Sequence, residues 1–322
     1  MGSGSWSTDV YDAAKRYRRA TGTSAFAYHD SGARRVHDTL NPFGVAMRES
    51  RDSDEHPQSV AISVLFDVTG SMGSVPRALQ QKLPQLFGLL LRNGYATDPQ
   101  IMFGAIGDAT CDRVPLQVGQ FESDNRMDEH LGNIVLEGGG GGQMTESYEL
   151  AMHFMARHTS IDCFEKRGRR GYLFIIGDEM AYPKVFGRHR RDILGESSTE
   201  DVPLRTVVKE VTRMYDTYFL LPSGTAYAGN DTVLSFWRTL LGQNALELDD
   251  LDAACETIGL TVGLGEGAID LEEGLRDLDD VDTAGTVTNT VSKALARVPA
   301  RRGGTTSTLP PVATGTDRIQ RL

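Results

Sequence analysis

The sequence predicts an α/β protein built on a doubly wound, mostly parallel sheet, with helices on both faces and one antiparallel edge strand. Three observations predict it. Val60 to Phe66, Ile101 to Ile106 and Tyr172 to Ile176 are apolar runs with little alternation, the pattern of strands buried on both faces of a parallel sheet. Each run leads into an acid, Asp67, Asp108 or Asp178. Between them lie stretches with apolar residues at three- and four-residue steps, the period of core-facing helices, and strands alternating with helices define this class.

Taken in order, residues 1–8 read as a flexible leader and 9–20 as a short helix, with Asp9 as cap and Val10, Ala13, Ala14 and Tyr17 at helical spacing. Residues 21–57 mix Gly, Ser, Asp, Arg and His with isolated aromatics and read as an irregular arm, lying on the main domain or on a partner; Asn41 to Gly44 is a turn. After the strand at 60–66 a helix is expected over 75–93, with Pro76 in the first turn. Its stripe is Leu79, Leu83, Leu86, Phe87, Leu90 and Leu91, and Pro84 should kink it. A strand follows at 100–107, then an antiparallel edge strand at 114–121, where Pro115 is tolerable. Residues 124–136 read as a helix, and so do 145–157, with Leu150, Ala151, Phe154 and Met155 inward. Beyond the strand at 172–176 come a basic stretch, 184–191, and a polar loop, 195–201; this insert either presents cations to an acidic partner or is solvated. A helix at 203–215, a strand at 217–221, a helix at 232–241 and a strand at 245–248 complete the alternation. Helices at 251–258, 269–278 and 286–298 follow, and the tail from Pro299 reads as disordered. The expected organisation is an arm (1–57), a main domain (58–260), acidic C-terminal helices (261–298) and the tail (299–322).

A length of 322 residues, 39% hydrophobic and 24% charged, suits one or two globular domains. A net charge of −11 argues against a nucleic-acid binder, which needs clustered Lys and Arg. The balance is uneven: the first part is basic and 247–282 strongly acidic, for solubility or for docking. Three scattered cysteines suit reduced thiols, and neither a signal peptide nor a membrane span is expected, so the expected location is cytoplasmic.

The chemistry centres on Asp67-Val-Thr69-Gly-Ser71. Positions 67, 69 and 71 share parity, so in an extended chain one carboxylate and two hydroxyls point the same way, at the strand end where ligands sit in such sheets. An all-oxygen set of this kind suits a hard cation such as magnesium. Asp108 and Asp178 would bring further carboxylates to the same rim; the bland alternative is that each Asp caps the next helix. The five glycines at 138–142 are no phosphate loop, because Gln143 and Met144 stand where Gly-Lys is required. They let the backbone pass close to the rim, or form a plain connector. His153, His158 and Cys163 offer no compact zinc set, since five-residue steps on a helix point in different directions.

The Asp67-Val-Thr69-Gly-Ser71 segment resembles the Asp-x-Ser/Thr-x-Ser motif of von Willebrand factor A (vWA) domains, and the resemblance covers roughly residues 58–260. It implies a Rossmann-like fold and a metal-ion-dependent adhesion site, MIDAS. Its metal ligands would be Asp67, Thr69, Ser71, Thr145 after the glycine run and Asp178 after the third strand, holding Mg2+ or else Mn2+ or Ca2+. The chain departs from the family in having Thr at 69, where Ser is commoner, and Gly177-Asp178-Glu179, where Asp is often followed by Gly. Glu179 therefore competes with Asp178, and Asp108 is expected behind the ligands or as a helix cap. The resemblance implies a non-enzymatic, intracellular, bacterial adaptor whose protein partner completes the metal with an Asp or Glu, in some relatives beside a ring-shaped AAA+ ATPase. The competing enzyme reading is a haloacid-dehalogenase-like phosphatase or phosphotransferase with Asp67 as nucleophile, although Thr69 stands where a second acid is usual and no paired acid follows Asp178. A third reading is a structural protein with a vestigial site.

Overall fold

Along the central strand, Val60, Ile62, Val64 and Phe66 enter one hydrophobic core while Ala61 and Leu65 enter another. The computed structural model describes residues 4–139, 142–280, 283–296 and 298. The first three residues of the leader, the side chains of Leu83, Pro84 and Gln85, and the tail from Pro299 lie outside the described residues. The elements are α1 (Thr8–Thr21), α2 (Ala27–Asp30), β1 (Arg48–Ser50), β2 (Ser59–Asp67), α3 (Val75–Phe87), β3 (Asp98–Ile106), β4 (Leu116–Val118) and α4 (Arg126–Gly132). Next come β5 (Thr145–Glu146), α5 (Tyr148–Arg157), β6 (Thr159–Ile161), α6 (Asp162–Glu165), β7 (Gly171–Ile176), β8 (Met180–Ala181), β9 (Lys184–Val185), α7 (Gly187–Leu194) and β10 (Val202–Pro203). The chain continues through α8 (Leu204–Met214), β11 (Tyr215–Pro222), α9 (Asp231–Leu241), β12 (Ala245–Leu248), α10 (Ala254–Glu266), α11 (Leu271–Asp280) and α12 (Gly285–Leu295).

The main sheet runs β12-β11-β7-β2-β3-β4, parallel except for the β3–β4 pair. This is the expected α/β class. One face is covered by α1, α3, α4, α10 and α12, the other by α5, α8 and α9. Because β2, β3 and β7 are parallel and adjacent, their acid-bearing ends emerge at one rim. No helix among the described residues is long and apolar enough to cross a membrane.

The arm lies on the main domain. Trp6 stacks on Phe87 with ring centroids 4.0 Å apart, Tyr11, Phe26 and Leu40 are buried, and β1 pairs in parallel with β6. The Tyr11 hydroxyl donates to the Gln80 carbonyl at 3.0 Å. That carbonyl lies four residues before Pro84, which has no N–H to offer it. The helix runs on through Pro84 to Phe87; its irregularity is a π turn at Gly88–Arg92 instead.

Four other expectations change. The helix expected from Thr145 starts at Tyr148, and Thr145–Glu146 pair in parallel with Met180–Ala181. The helix expected over 124–136 spans Arg126–Gly132, because Val135 instead exchanges hydrogen bonds of 2.8 Å in both directions with the Gln117 side chain. A continuous helix occupies Ala254–Glu266, beyond the expected 251–258. Its glycines are packing sites, since a Cβ at Gly263 would meet Ile269 at 2.9 Å and Tyr95 at 3.0 Å. Finally, no helix follows Asp108 directly; its Oδ1 caps a turn through the N–H and hydroxyl of Thr110.

Asp52 ties the arm to β2 and the α6 loop. It accepts from Ser59 N–H at 3.1 Å, Ser59 Oγ at 2.7 Å and Arg167 Nη1 at 2.7 Å, with Lys166 Nζ at 3.3 Å. Burial pushes its carboxyl up, but the bonds from Arg167, Ser59 and Lys166 outweigh this and hold it at about 2. A folded pKa below the unfolded one gives stability that is present above pH ~4 and lost as pH falls through about 2. Asp52→Asn is therefore expected to cost about 2 kcal/mol at pH 7, and progressively less toward pH 2, in paired thermal melts.

Candidate metal centre

β2 ends at Asp67, fully buried, and the chain then turns through Thr69 and Ser71. Asp67 Oδ1 accepts from the Thr69 N–H at 2.8 Å and the Thr69 hydroxyl at 2.6 Å; Oδ2 accepts from the Tyr148 hydroxyl at 2.6 Å. Thr69 Oγ1 lies 3.1 Å from Ser71 Oγ, and Ser71 Oγ donates to Asp178 Oδ1 at 2.8 Å. Asp178 Oδ2 accepts from the Tyr227 N–H at 3.1 Å, and Ala226 N–H donates to the Ser71 carbonyl at 3.0 Å. Two strand ends over a hundred residues apart are thus linked through the hydroxyls of Thr69 and Ser71, with no basic side chain between them among the described residues.

The glycine run meets the same turn by its backbone. Gly70 N–H donates to the Gly139 carbonyl at 2.6 Å and Gly138 N–H to the Val68 carbonyl at 3.1 Å. A Cβ at Gly70 would stand 2.9 Å from the Gly138 carbonyl oxygen, so the turn after β2 admits no side chain at that position.

The structure brings Asp67, Thr69, Ser71 and Asp178 together directly. Thr145 reaches the rim by pairing with Met180, but its hydroxyl bonds to Tyr182. Tyr182 in turn donates to Asp108 Oδ2 at 3.0 Å, an oxygen that also accepts from Gln143 Nε2 at 2.5 Å. Asp108 is thus linked to Thr145 through the Tyr182 hydroxyl.

Two glutamates crowd the centre. Glu146 and Glu179 are buried and hydrogen-bonded to each other, and each keeps one oxygen, Oε2, without a partner. Burial raises the Glu146 carboxyl, and the charges of Asp67, Glu179, Asp108 and Asp112 push it further the same way. Burial likewise raises Glu179, with Asp67 and Asp178 adding to it. Asp67 itself is lifted by burial to about 7, although the bonds from Thr69 and Tyr148 oppose the shift and Asp178 reinforces it. Buried like charges with unpartnered oxygens are costly unless a cation joins them. The donor set is all oxygen, from carboxylates and hydroxyls, so the residues fit a hard divalent ion.

Sequence reasoning missed Tyr148 and Glu146. Tyr148 reads as one more apolar position of a helix, and no motif marks its hydroxyl. Glu146 became legible only once Thr145–Glu146 proved to be extended, turning alternate side chains to opposite sides. Tyr148→Phe removes the donor that orients Asp67 while keeping the ring. It is expected to weaken divalent-ion affinity by ~10-fold or more with little change in fold, measured by calorimetric titration.

No family model matches the chain, and no curated relative does. Among solved structures it is similar to the open conformation of the pilus adhesin SpaC from Lactobacillus rhamnosus GG, with 8% identity and a TM-score of 0.46, over 68% of this chain and 31% of the adhesin. It is also similar to proximal thread matrix protein 1 of the mussel byssus, with 9% identity and a TM-score of 0.41, over 63% of this chain and 47% of that protein. The chain thus spans less than half the length of either.

Proposed function

We propose that the chain is a metal-dependent protein-binding adaptor of the vWA type. Asp67, Thr69, Ser71 and Asp178 would hold a divalent cation, with Thr145 and its Asp108–Tyr182 shell alongside. The observation that carries this reading is the relay Asp67–Thr69–Ser71–Asp178 beside buried glutamates whose spare oxygens have no hydrogen-bond partner among the described residues. The bound ion would supply a Lewis-acidic position for a carboxylate. Threonine and serine ligands are neutral, so the ion is less neutralised than in an all-carboxylate cage and has a coordination position for a partner's Asp or Glu. A protein partner with an exposed acid is therefore the proposed ligand, and neither nucleic acid nor membrane is. The family resemblance extends the proposal to a cytoplasmic setting beside an AAA+ ATPase.

The phosphotransferase reading fares worse. A nucleophilic Asp67 needs an accessible oxygen, whereas Oδ1 takes two bonds from Thr69 and Oδ2 one from Tyr148 in a fully buried position. The deciding experiment is affinity capture from the native cell extract in magnesium and in chelator, followed by identification of the retained protein. The expected result is a partner held in magnesium and released by chelator. A partner retained equally in both, or phosphatase activity that disappears with Asp67→Asn, would overturn the proposal.

A further inference from the structure

We propose a second metal centre, independent of the first and of different chemistry: a site for a borderline ion such as Zn2+ formed by His153, His158 and Glu196. The sequence argues against pairing the two histidines, because a five-residue step turns side chains apart on a helix. The structure brings them together because His158 is outside the helix. It follows the end of α5 with φ −118° and ψ 20°, which swings its ring back over the last turn. The ring centroids of the two histidines lie 6.4 Å apart. Cys163 takes no part; the third group is Glu196, from the loop after α7. Nε2 of His153 and Nε2 of His158 stand 2.7 and 3.0 Å from the same oxygen, Glu196 Oε1, and the three donor atoms all lie within 4.8 Å of one another.

The hydrogen bonds around the cluster orient its donors. His158 Nδ1 is 2.9 Å from the Val45 carbonyl, which can only accept, so Nδ1 carries the proton. In the neutral form of His158 a lone pair on Nε2 faces a carboxylate oxygen at 3.0 Å, an arrangement that either a proton or a metal cation between them relieves. A ligating histidine that donates its other N–H to a backbone carbonyl is the usual support of a metal site. Glu196 is prepared in the same way. Its Oε2 is held by Arg190 through Nε at 2.9 Å and Nη2 at 2.5 Å, and Arg190 Nη1 is fixed by the Glu200 carbonyl at 2.6 Å. Oε1 is left facing the two imidazoles. His153 is fully buried in α5, and its Nδ1 has no partner.

Two imidazoles and one carboxylate make a three-ligand set for tetrahedral Zn2+ with water as the fourth ligand, and nitrogen donors favour Zn2+ or Co2+ over Mg2+. The ion would clamp the segment from β9 to β10, which flanks the Asp178 rim, onto α5 and the arm at Val45.

The test uses the full chain, stripped with chelator, desalted and titrated with Co2+, whose tetrahedral complexes absorb strongly in the visible. Zn2+ then competes. The expected result is one equivalent of absorbing Co2+, displaced by Zn2+, unchanged in Asp67→Asn and absent from both His158→Gln and Glu196→Gln. Melting of the metal-free variants near the parent temperature shows that the fold survives, and Zn2+ should raise the melting temperature of the parent and of Asp67→Asn but not of His158→Gln or Glu196→Gln. No absorbing Co2+ in the parent, or a signal that persists in either Glu196→Gln or His158→Gln, overturns the proposal. So does a signal lost with Asp67→Asn, which would assign it to the oxygen site.

Discussion

Asp67→Asn is expected to leave a folded protein that no longer responds to magnesium. The amide keeps the shape of the side chain, and its carbonyl can still accept from Thr69 N–H at the position now bonded at 2.8 Å. What disappears is a charge buried beside Asp178, the feature that lifts the acid to about 7 in the metal-free protein. The metal-free variant should therefore melt at or above the parent at pH 8. In the parent, magnesium at a hundred times its dissociation constant adds ~2.7 kcal/mol, a rise on the order of 5 °C for a chain of this size. The variant should show none of that rise, and should retain no partner in magnesium. Paired scanning calorimetry with and without magnesium measures both. An equal magnesium shift in the two proteins would remove Asp67 from the metal centre.

Gly177→Ala is expected to damage stability and metal binding together. Gly177 follows the end of β7, immediately before Asp178. A Cβ there would overlap the Tyr148 hydroxyl and stand 2.7 Å from its Cζ and 2.8 Å from its Cε1. The ring cannot yield: it is fully buried, edge-on to Phe219 and Trp237 at 5.7 and 5.6 Å between centroids. Trp237 is in turn held by its Nε1–H on the Glu179 carbonyl at 2.8 Å. Overpacking of this kind costs about 3 kcal/mol, a fall of roughly 5 °C in melting temperature. Because Tyr148 is the donor to Asp67 Oδ2, magnesium affinity should fall as well. Gly139→Ala is the control. Its Cβ would meet nothing nearer than Asp112 Oδ1 at 3.5 Å, an ordinary contact, so it should be close to neutral. If both variants behave alike, Tyr148 is not where the argument for the metal centre needs it.

The same glycine shows how far the chain could be read unaided. In Gly177-Asp178-Glu179 the departure from the family pattern is Glu179, and nothing local says why a glycine belongs at 177; the reason is a tyrosine 29 residues earlier, seen only in three dimensions. Thr145 was found because it follows a glycine run, but its extended backbone depends on pairing with Met180, so its partner, Tyr182, was out of reach. His153 and His158 were set aside on helical geometry that would have been sound had the helix continued one residue further.

The amino-acid order alone determined the alternating β/α plan and the three acids at one end of three strands. Two-sided burial leaves a near-continuous apolar run, and a strand's end is a local property of the chain. The tertiary structure alone decided which groups close around those acids. Glu146 and Tyr148 arrive from β5 and the start of α5, Glu179 from the turn after β7 and the Tyr227 amide from the segment after β11, while Arg190 and Glu196 reach the histidines from α7 and the loop behind it. Their meeting depends on strand order and helix ends, which no short stretch of residues encodes.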